Sequence, residues 1–476
     1  MPENNFAIQV SSEVGELKRL LIHSPDSGLG KVVPSKAQDW LFEDIVHLDT
    51  VRTEEYDVYL KILLYFVDPD KIKGKLKDIE VDRTFFHPDN KNFYRSEKVI
   101  ELQVLLAEVL EDLSVKKKLV ASVCAIEGCT YYLQQQLIET NAVELAKIFI
   151  SGSLNSNTMI FAPIPNFIFT RDIGITINDH ILLNKPAKSA RSRETLLARY
   201  IFFNHPLFKN YRNNIVEIPD PVQYFLRPGE EQPEKTTLEG GDVMVVSKDH
   251  LLIGCSERTS LSGAGEAIKI LFEKNVIKKV TVIKIPHKRD FMHIDTIFTQ
   301  VRKDVWAVLH SITSPDVSVK DDIIDSLSDK VNKARPEILQ FTKGDTKNPK
   351  RFDCIQELLQ DISRTDLGCT GEIRFIKSGN NIFPFDAREQ WTDSVNVLAL
   401  KDGVVLGYDR NDKTIESFRE NGFEVVRAND LLQDFESDKI KPKELKNTLI
   451  LIPSAELSRA RGGFHCMSMP LFREEV

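Results

Sequence analysis

The 476-residue sequence lacks the features that mark several common protein classes. Its six cysteines form no CxxC pair, so neither a zinc site nor a thioredoxin-like redox site is expected. No window approaches eighteen consecutive apolar residues, and no cationic start leads into an apolar stretch, so neither a membrane span nor a signal peptide is predicted. The formal net charge of −8 argues against nucleic-acid binding. The composition instead indicates a globular cytoplasmic enzyme with reduced thiols, and we predict no metal and no cofactor.

What the sequence does contain near its end is a cysteine in a small, apolar stretch, Arg461-Gly462-Gly463-Phe464-His465-Cys466-Met467-Ser468-Met469-Pro470. Chain ends are usually polar and frayed, so this one is expected to return into the body of the protein. Free cysteine is among the most buried residue types, and Cys466 taken alone is most simply an inert core residue. The alternative is a nucleophile whose base and substrate-binding groups lie elsewhere in the chain.

Residues 51–156 have helical spacing of apolar side chains. Leu60, Leu63, Leu64 and Val67 recur at i, i+3, i+4 and i+7, and Val99 to Val109 show a similar spacing. We predict an inserted helical subdomain here, with a structural or oligomerisation role, because no chemical constellation occurs in it.

After residue 163 the chain repeats the order hairpin, helix, strand four times. The hairpin turns are predicted at 178–179, 248–249, 303–304 and 402–403. The first strand (16–23) and the C-terminal segment would supply a fifth unit, and five units closing into a ring would leave a central pit. We therefore predict an α/β fold, a pseudo-five-fold propeller of ββαβ-type units over residues 1–476. Residues 313–350 are interpreted as a solvated insertion in the third unit.

Polar residues begin three of these units. Asp172 follows an apolar run, Glu239 precedes two glycines, and His293 and Asp295 would share one face of an extended strand. Each has an ordinary alternative as a turn cap, a solvated acid or a satisfied core histidine. Together with Cys466 they form a set of reactive side chains, and their occurrence at equivalent places in the units is less easily explained by chance.

Several carboxylates around a cysteine and a histidine suit a planar cation. Guanidinium offers five fixed donors for paired hydrogen bonds with carboxylates. A thiolate that attacks its central carbon would release ammonia and leave a covalent thiouronium adduct, which water would convert to a ureido product. The cationic substrate itself would help to form the thiolate.

The motifs resemble those of the arginine deiminases, a family of guanidino-modifying enzymes with a five-bladed propeller fold. The matching stretches span nearly the whole chain in order and are Glu13 to Lys18, Leu41 to Asp44, Phe169 to Asp172, Arg191 to Thr195, Leu238 to Asp242, Glu257 to Thr259, Met292 to Thr299, Arg388 to Trp391, and Arg461 to Gly463 with Cys466 to Pro470. The helical insertion after residue 51 is also similar to one in the family.

The resemblance implies specific roles. Cys466 would be the nucleophile and His293 the general acid and base, oriented by Glu239. Asp172 and Asp295 would hold the guanidinium. The expected substrate-binding residues are Asn166, Phe169, Arg191, Arg258, Arg461, Leu41 and Asn396. Among these, Arg191, Arg258 and Asn166 would bind the substrate carboxylate, and Arg461 would be a mobile arginine beside the nucleophile.

The activity implied is hydrolysis of L-arginine to L-citrulline and ammonia. The alternatives are an amidinotransferase, a hydrolase of agmatine or methylarginine on the same scaffold, or an inactive arginine-binding propeller. Beyond the small-molecule substrate no partner is predicted, and a homo-oligomer stays open. His465, beside the nucleophile, has no assigned role. The chain also exceeds typical members in length, mainly through residues 313–350 and 430–448.

Overall fold

The computed structural model describes residues 6–25, 28–42, 44–219, 235–287, 289–314 and 336–476. The strands in this part of the chain, β1 to β20 in order, are Leu17–Ile22, Val99–Glu101, Ser153–Asn155, Thr158–Met159, Gly174–Ile177, His180–Leu183, Ile215–Val216, Val243–Ser247, His250–Cys255, Lys279–Lys284, Phe298–Arg302, Val305–Val308, Glu337–Thr342, Asp345–Phe352, Arg374–Lys377, Leu398–Lys401, Val404–Tyr408, Glu424–Arg427, Thr448–Ile452 and Met469–Arg473. The α-helices, α1 to α14, are Leu48–Thr50, Asp57–Val67, Leu76–Val81, Leu102–Leu110, Leu113–Glu127, Tyr131–Glu139, Ala142–Ser151, Ser192–Asn204, Leu261–Glu273, His310–Thr313, Ile355–Asp361, Phe385–Trp391, Asp412–Glu420 and Ala428–Glu436.

One pairing pattern recurs in five sheets of the described residues. An antiparallel pair is joined by a third, parallel strand, giving β5-β6-β7, β8-β9-β10, β11-β12-β15, β16-β17-β19 and β20-β1-β2. The four predicted hairpin turns are confirmed, since each lies between the two strands of such a pair. The predicted union of the two chain ends is also confirmed, because β20 pairs with β1.

Two units differ from the prediction. In the fourth, the strand parallel to β17 is β19, and the predicted strand at 423–427 is β18 on the far edge of the sheet. The 313–350 insertion is not simply solvated chain of the third unit. Residues 315–335 lie outside the described residues, whereas β13 and β14 form a hairpin that extends the second sheet, with β13 antiparallel to β10.

The helical segment 51–156 is not a single bundle. It contains β2, which completes the first sheet, so the strand separates α2 and α3 from α4 to α7. The apolar residues Leu137, Val143, Leu145 and Ile148 also suggest one helix by their spacing, but they belong to two, α6 and α7. Asn141 accepts a hydrogen bond from the Glu144 N–H and begins α7, and Gly152 ends it at φ 74°, a left-handed conformation that glycine adopts without strain. No helix in the described residues is long and apolar enough to span a membrane.

Glu13 ties the N-terminal segment to three other parts of the fold. Its carboxylate accepts hydrogen bonds from Arg171 Nη2 at 3.2 Å and from the Val245 N–H at 3.1 Å, and it lies 3.3 Å from His465 Nε2. Burial alone would raise the pKa of Glu13, but Arg171 and His465 hold it well below its usual range. The buried carboxylate is therefore charged and fully engaged.

We predict that Glu13→Gln lowers the free energy of unfolding by about 3–5 kcal/mol, because it leaves the cation of Arg171 buried without its counter-charge. Urea unfolding measures this change. Glu16→Gln is the matched control, since the Glu16 side chain is 43% exposed in its pair with Lys18 and should cost under about 1 kcal/mol. Equal losses in the two variants would contradict the role assigned to Glu13.

Candidate active site

A cavity of about 40 Å³ lies beside Cys466. Its walls include every predicted site residue except Asp295 and Asn396, and they also contain Met292, Thr296, Asp393, Ala460 and Gly462. A cavity of this size holds only a few water molecules. Side chains must therefore move before a larger molecule can enter.

Three short 3₁₀ turns place the acids at the starts of the hairpins. They are Thr170–Ile173, Gly240–Asp242 and Ile294–Thr296, and they lead into β5, β8 and β11. The predicted extended strand through His293 and Asp295 is wrong, because the chain turns at Ile294. The turn lets His293 line the cavity while Asp295, fully buried, lies beneath the nucleophile.

The loop that carries Cys466 is held by backbone contacts. The Cys466 N–H donates to Asn396 Oδ1 at 3.2 Å, and the Cys466 carbonyl accepts from the Arg171 N–H at 3.0 Å. A Cβ at Gly462 would overlap the ring of Phe169, and one at Gly463 would overlap Asn396. Both glycines are thus required by close approach.

The thiol of Cys466 donates to Asp295 Oδ2 at 3.3 Å. Burial, and then the charges of Asp295, Asp172 and Asp393, raise the pKa of the Cys466 thiol well above its usual value. In the free protein the nucleophile is therefore a neutral thiol, and forming the thiolate requires an added positive charge nearby.

His293 and Glu239 form a buried pair, with His293 Nε2 3.1 Å from Glu239 Oε2. Burial opposes the charge on His293, but Asp172 and Glu239 outweigh it and raise the pKa of His293 to about 10. The pKa of Glu239 falls to about 2, because Arg191 and His293 outweigh the effect of burial. The imidazole is thus protonated at neutral pH and can donate a proton into the cavity.

Arg191 occupies an unexpected position. The resemblance implied a contact with the substrate carboxylate, yet Arg191 Nη1 donates to Asp172 Oδ2 at 2.9 Å and to Glu239 Oε2 at 3.2 Å. Its Nε donates to Glu194 Oε2 at 2.8 Å. In the free protein a guanidinium of the chain itself therefore lies on one of the two aspartates expected to hold the substrate.

Several buried polar atoms around the cavity have no hydrogen-bond partner among the described residues. They are Arg191 Nη2, Arg258 Nε, Asp295 Oδ1 and the three side-chain nitrogens of Arg461. Buried polar atoms without a hydrogen-bond partner are costly, so these atoms are available to contact a bound molecule. The unpaired donors suit a carboxylate, and the unpaired oxygen suits a cation.

The remaining predicted residues fall into two groups. Leu41, Phe169 and Asn166 line the cavity as expected, and Asn166 Nδ2 also donates to the Trp40 carbonyl at 2.9 Å. Asn396 does not line it. It lies behind the nucleophile, donating to the Asp295 carbonyl at 3.1 Å while it accepts from the Cys466 N–H, so its position is that of a support for the loop.

His465 is the main residue whose place the sequence did not indicate. Its Nδ1 is 2.9 Å from Asp295 Oδ2, and its Nε2 faces Glu13, which in turn pairs with Arg171. Burial alone would raise the pKa of Asp295, but His465, His293 and the hydrogen bond from the Cys466 thiol hold it below its usual value. The adjacency of His465 to Cys466 was visible in the sequence, but a partner 452 residues away was not.

Asp242 was also left unassigned. Its Oδ1 accepts from the Ile294 N–H at 3.1 Å and its Oδ2 from Ser256 Oγ at 2.6 Å, so it joins the turn of the second unit to that of the third. Burial raises the pKa of Asp242 to about 7. Asp242 thereby fixes the backbone next to His293.

Asp172, Glu239 and His293 each offer a possible metal-ligand atom within 4.8 Å of the others. Arg191 already donates to both carboxylates and His293 pairs with Glu239. A cationic side chain therefore fills the place in which a metal ion would lie, and the donor set fits a guanidinium.

The family model named arginine deiminase matches residues 84–473. The chain belongs to the arginine deiminase family. It is 31% identical over 472 residues to an arginine deiminase of Borrelia garinii subsp. bavariensis, with 98% of each chain covered. It is 30% identical over 490 residues to one from Clostridium perfringens, with 99% of each covered. The resemblance found in the motifs is thus confirmed.

The similar solved structures share less sequence with this chain. An amidinotransferase from Microseira wollei is 12% identical with a TM-score of 0.48 and 98% of each chain covered. A dimethylarginine dimethylaminohydrolase from Pseudomonas aeruginosa, in complex with citrulline, is 16% identical with a TM-score of 0.35, covering 64% of this chain and 76% of that one.

Because the pKa of the Cys466 thiol is raised, its ionisation and its reactivity should increase only at high pH. Without substrate, Cys466 should give no thiolate absorbance at neutral pH, and its alkylation by iodoacetamide should accelerate only above the usual cysteine pKa of about 8.5. The signal is measured as wild type minus Cys466→Ala across pH. A substantial thiolate fraction at neutral pH in the free enzyme would refute this assignment.

Proposed function

We propose that the protein hydrolyses L-arginine to L-citrulline and ammonia, with Cys466 as nucleophile. One observation carries the proposal: the buried acids beside Cys466 already hold a guanidinium, that of Arg191. The site is therefore built to bind this group, and membership of the arginine deiminase family supports the same substrate class.

In the proposed cycle, the substrate takes the place of Arg191 at Asp172 and also pairs with Asp295. Its positive charge, placed within reach of Sγ, offsets the carboxylates that keep the thiol neutral. The thiol proton passes to solvent as the C–S bond forms, and the protonated His293 donates its own proton to the departing nitrogen. The C–N bond then breaks and ammonia leaves, so Cys466 carries a thiouronium adduct.

In the second half, His293 accepts a proton from water as the water oxygen attacks the same carbon. The C–O bond forms, the C–S bond breaks, and the thiol recovers its proton. The sum is one arginine and one water converted to one citrulline and one ammonia. Glu239, 3.1 Å from Nε2, keeps the imidazole oriented through both halves.

Free arginine is the proposed substrate because the unpaired donors match its carboxylate. Arg258 Nε and Arg191 Nη2 are buried and have no partner among the described residues. Once released from Asp172, Arg191 can turn toward the carboxylate beside Arg258. Agmatine, which has no carboxylate, would leave these two donor atoms without a partner.

The architecture is proposed to be a closed ring. The repeated strand pattern supports a pseudo-five-fold α/β propeller over residues 1–476, with the segment 51–156 packed on it. Joining of the two chain ends in one sheet supports closure, because it supplies the fifth unit. A cytoplasmic location stays a prediction, and the oligomeric state stays open.

Incubation of the wild-type enzyme with L-arginine should yield citrulline and ammonia in equal amounts. Cys466→Ala should lower kcat by at least about 10³-fold, because the covalent route is lost. Arg258→Ala should lower kcat/KM for arginine by about 10- to 100-fold through loss of a charged hydrogen bond, and change that for agmatine little.

Cys255→Ala is the matched control for the nucleophile, since Cys255 is a buried cysteine of β9 that does not line the cavity. It should keep wild-type activity. Full turnover by Cys466→Ala would end the proposed mechanism. A wild-type preference for agmatine, unchanged by Arg258→Ala, would instead overturn only the choice of substrate.

A further inference from the structure

The end of helix α12 is fixed firmly against the body of the protein. Glu389 accepts hydrogen bonds from the Lys413 N–H and the Thr414 N–H, both at 2.8 Å, at the start of α13. Gln390 Nε2 donates to the Asp290 carbonyl at 2.6 Å, close to the turn that carries His293. The next residue, Trp391, is therefore held in a defined place relative to the cavity.

The side chain of Arg461 stacks on the ring of Trp391. The guanidinium carbon of Arg461 lies 3.7 Å from the ring centroid. Arg461 is only 5% exposed, and none of its side-chain nitrogens has a hydrogen-bond partner among the described residues. Contact with the indole face is thus the interaction that compensates this buried cation, and such contacts strengthen when water is excluded.

The backbone at Arg461 is anchored separately from its side chain. Tyr408 Oη donates to the Gly462 carbonyl at 2.7 Å, and Gly462 packs against the ring of Phe169. A movement of Arg461 is therefore confined to its side chain. Trp391 decides where that side chain rests.

We propose that Trp391 is a positioning residue that keeps the Arg461 guanidinium away from the carboxylates around Cys466. This inference rests on the proposed function. Without the ring, the buried cation of Arg461 would seek a carboxylate, and Asp295 has an unpaired Oδ1 beside the nucleophile. Arg461 would then compete with the substrate guanidinium for the same oxygen.

The kinetic test follows from that competition. Trp391→Leu should raise KM for arginine about five- to thirtyfold and change kcat by less than about twofold, whereas Trp391→Phe, which keeps an aromatic face, should have a smaller effect. In an Arg461→Ala background, Trp391→Leu should add no further change in KM. Phe385→Leu is the control and should behave as wild type, because Phe385 lies on the same helix but its ring faces Lys413 and not Arg461.

The spectroscopic test needs no turnover. Removing the cation from the indole face by Arg461→Ala should increase the fluorescence of Trp391 in the substrate-free enzyme, taking Trp391→Phe as the background for the other tryptophans. Arg459→Ala is the matched control, because Arg459 pairs with Asp44 and Glu456 at the surface and should leave the emission unchanged.

The kinetic and spectroscopic tests distinguish the positioning role of Trp391 from the choice of arginine as substrate. An unchanged Trp391 emission in Arg461→Ala would overturn the positioning role, whether or not arginine is the substrate. An equal rise of KM on Trp391→Leu with and without Arg461 would also overturn it, because the ring would then act independently of that arginine. Altered emission in an enzyme that does not convert arginine would leave the stacking intact and reject only the proposed substrate.

Discussion

The fold depends on neutralising several carboxylates that are buried inside the protein. Glu13, Asp172, Glu239 and Asp295 are all less than 9% exposed, and unpaired charges buried to this extent would strongly destabilise the folded protein. The protein supplies Arg171, Arg191 and the protonated His293 as counter-charges, and His465 Nδ1 lies 2.9 Å from Asp295 Oδ2. Burial and the charges of Asp295, Asp172 and Asp393 also raise the pKa of the Cys466 thiol well above its usual value, so the buried acids affect both stability and the state of the thiol.

Much of this was accessible from the sequence. Hairpin turns such as Asp402-Gly403 have a local chemical signature, and apolar alternation on either side determines the strands. The pairing of β20 with β1 followed from counting four complete units and two incomplete ends. The cavity residues were found because their motifs carry the chemistry of the family, and ten of the twelve line the cavity together.

Other features of the fold and the site could not be predicted from local sequence patterns. The place of β19 beside β17, with β18 on the far edge, depends on long-range pairing, since both strands are short and neither indicates its partner by local sequence. The attachment of β13 to β10 has no signal within either segment. Arg191 contacts Asp172 and Glu239 because buried carboxylates need a counter-charge, and a sequence motif alone does not show which cation supplies it.

The central claim is that the substrate guanidinium replaces that of Arg191 at the buried acids. A crystal structure of Cys466→Ala with L-arginine bound tests it most directly. The account predicts the substrate guanidinium on Asp172 and Asp295, with Arg191 Nη1 withdrawn from Asp172 and turned toward the substrate carboxylate. Arginine bound beside position 466 with the Arg191 contact to Asp172 intact would contradict it.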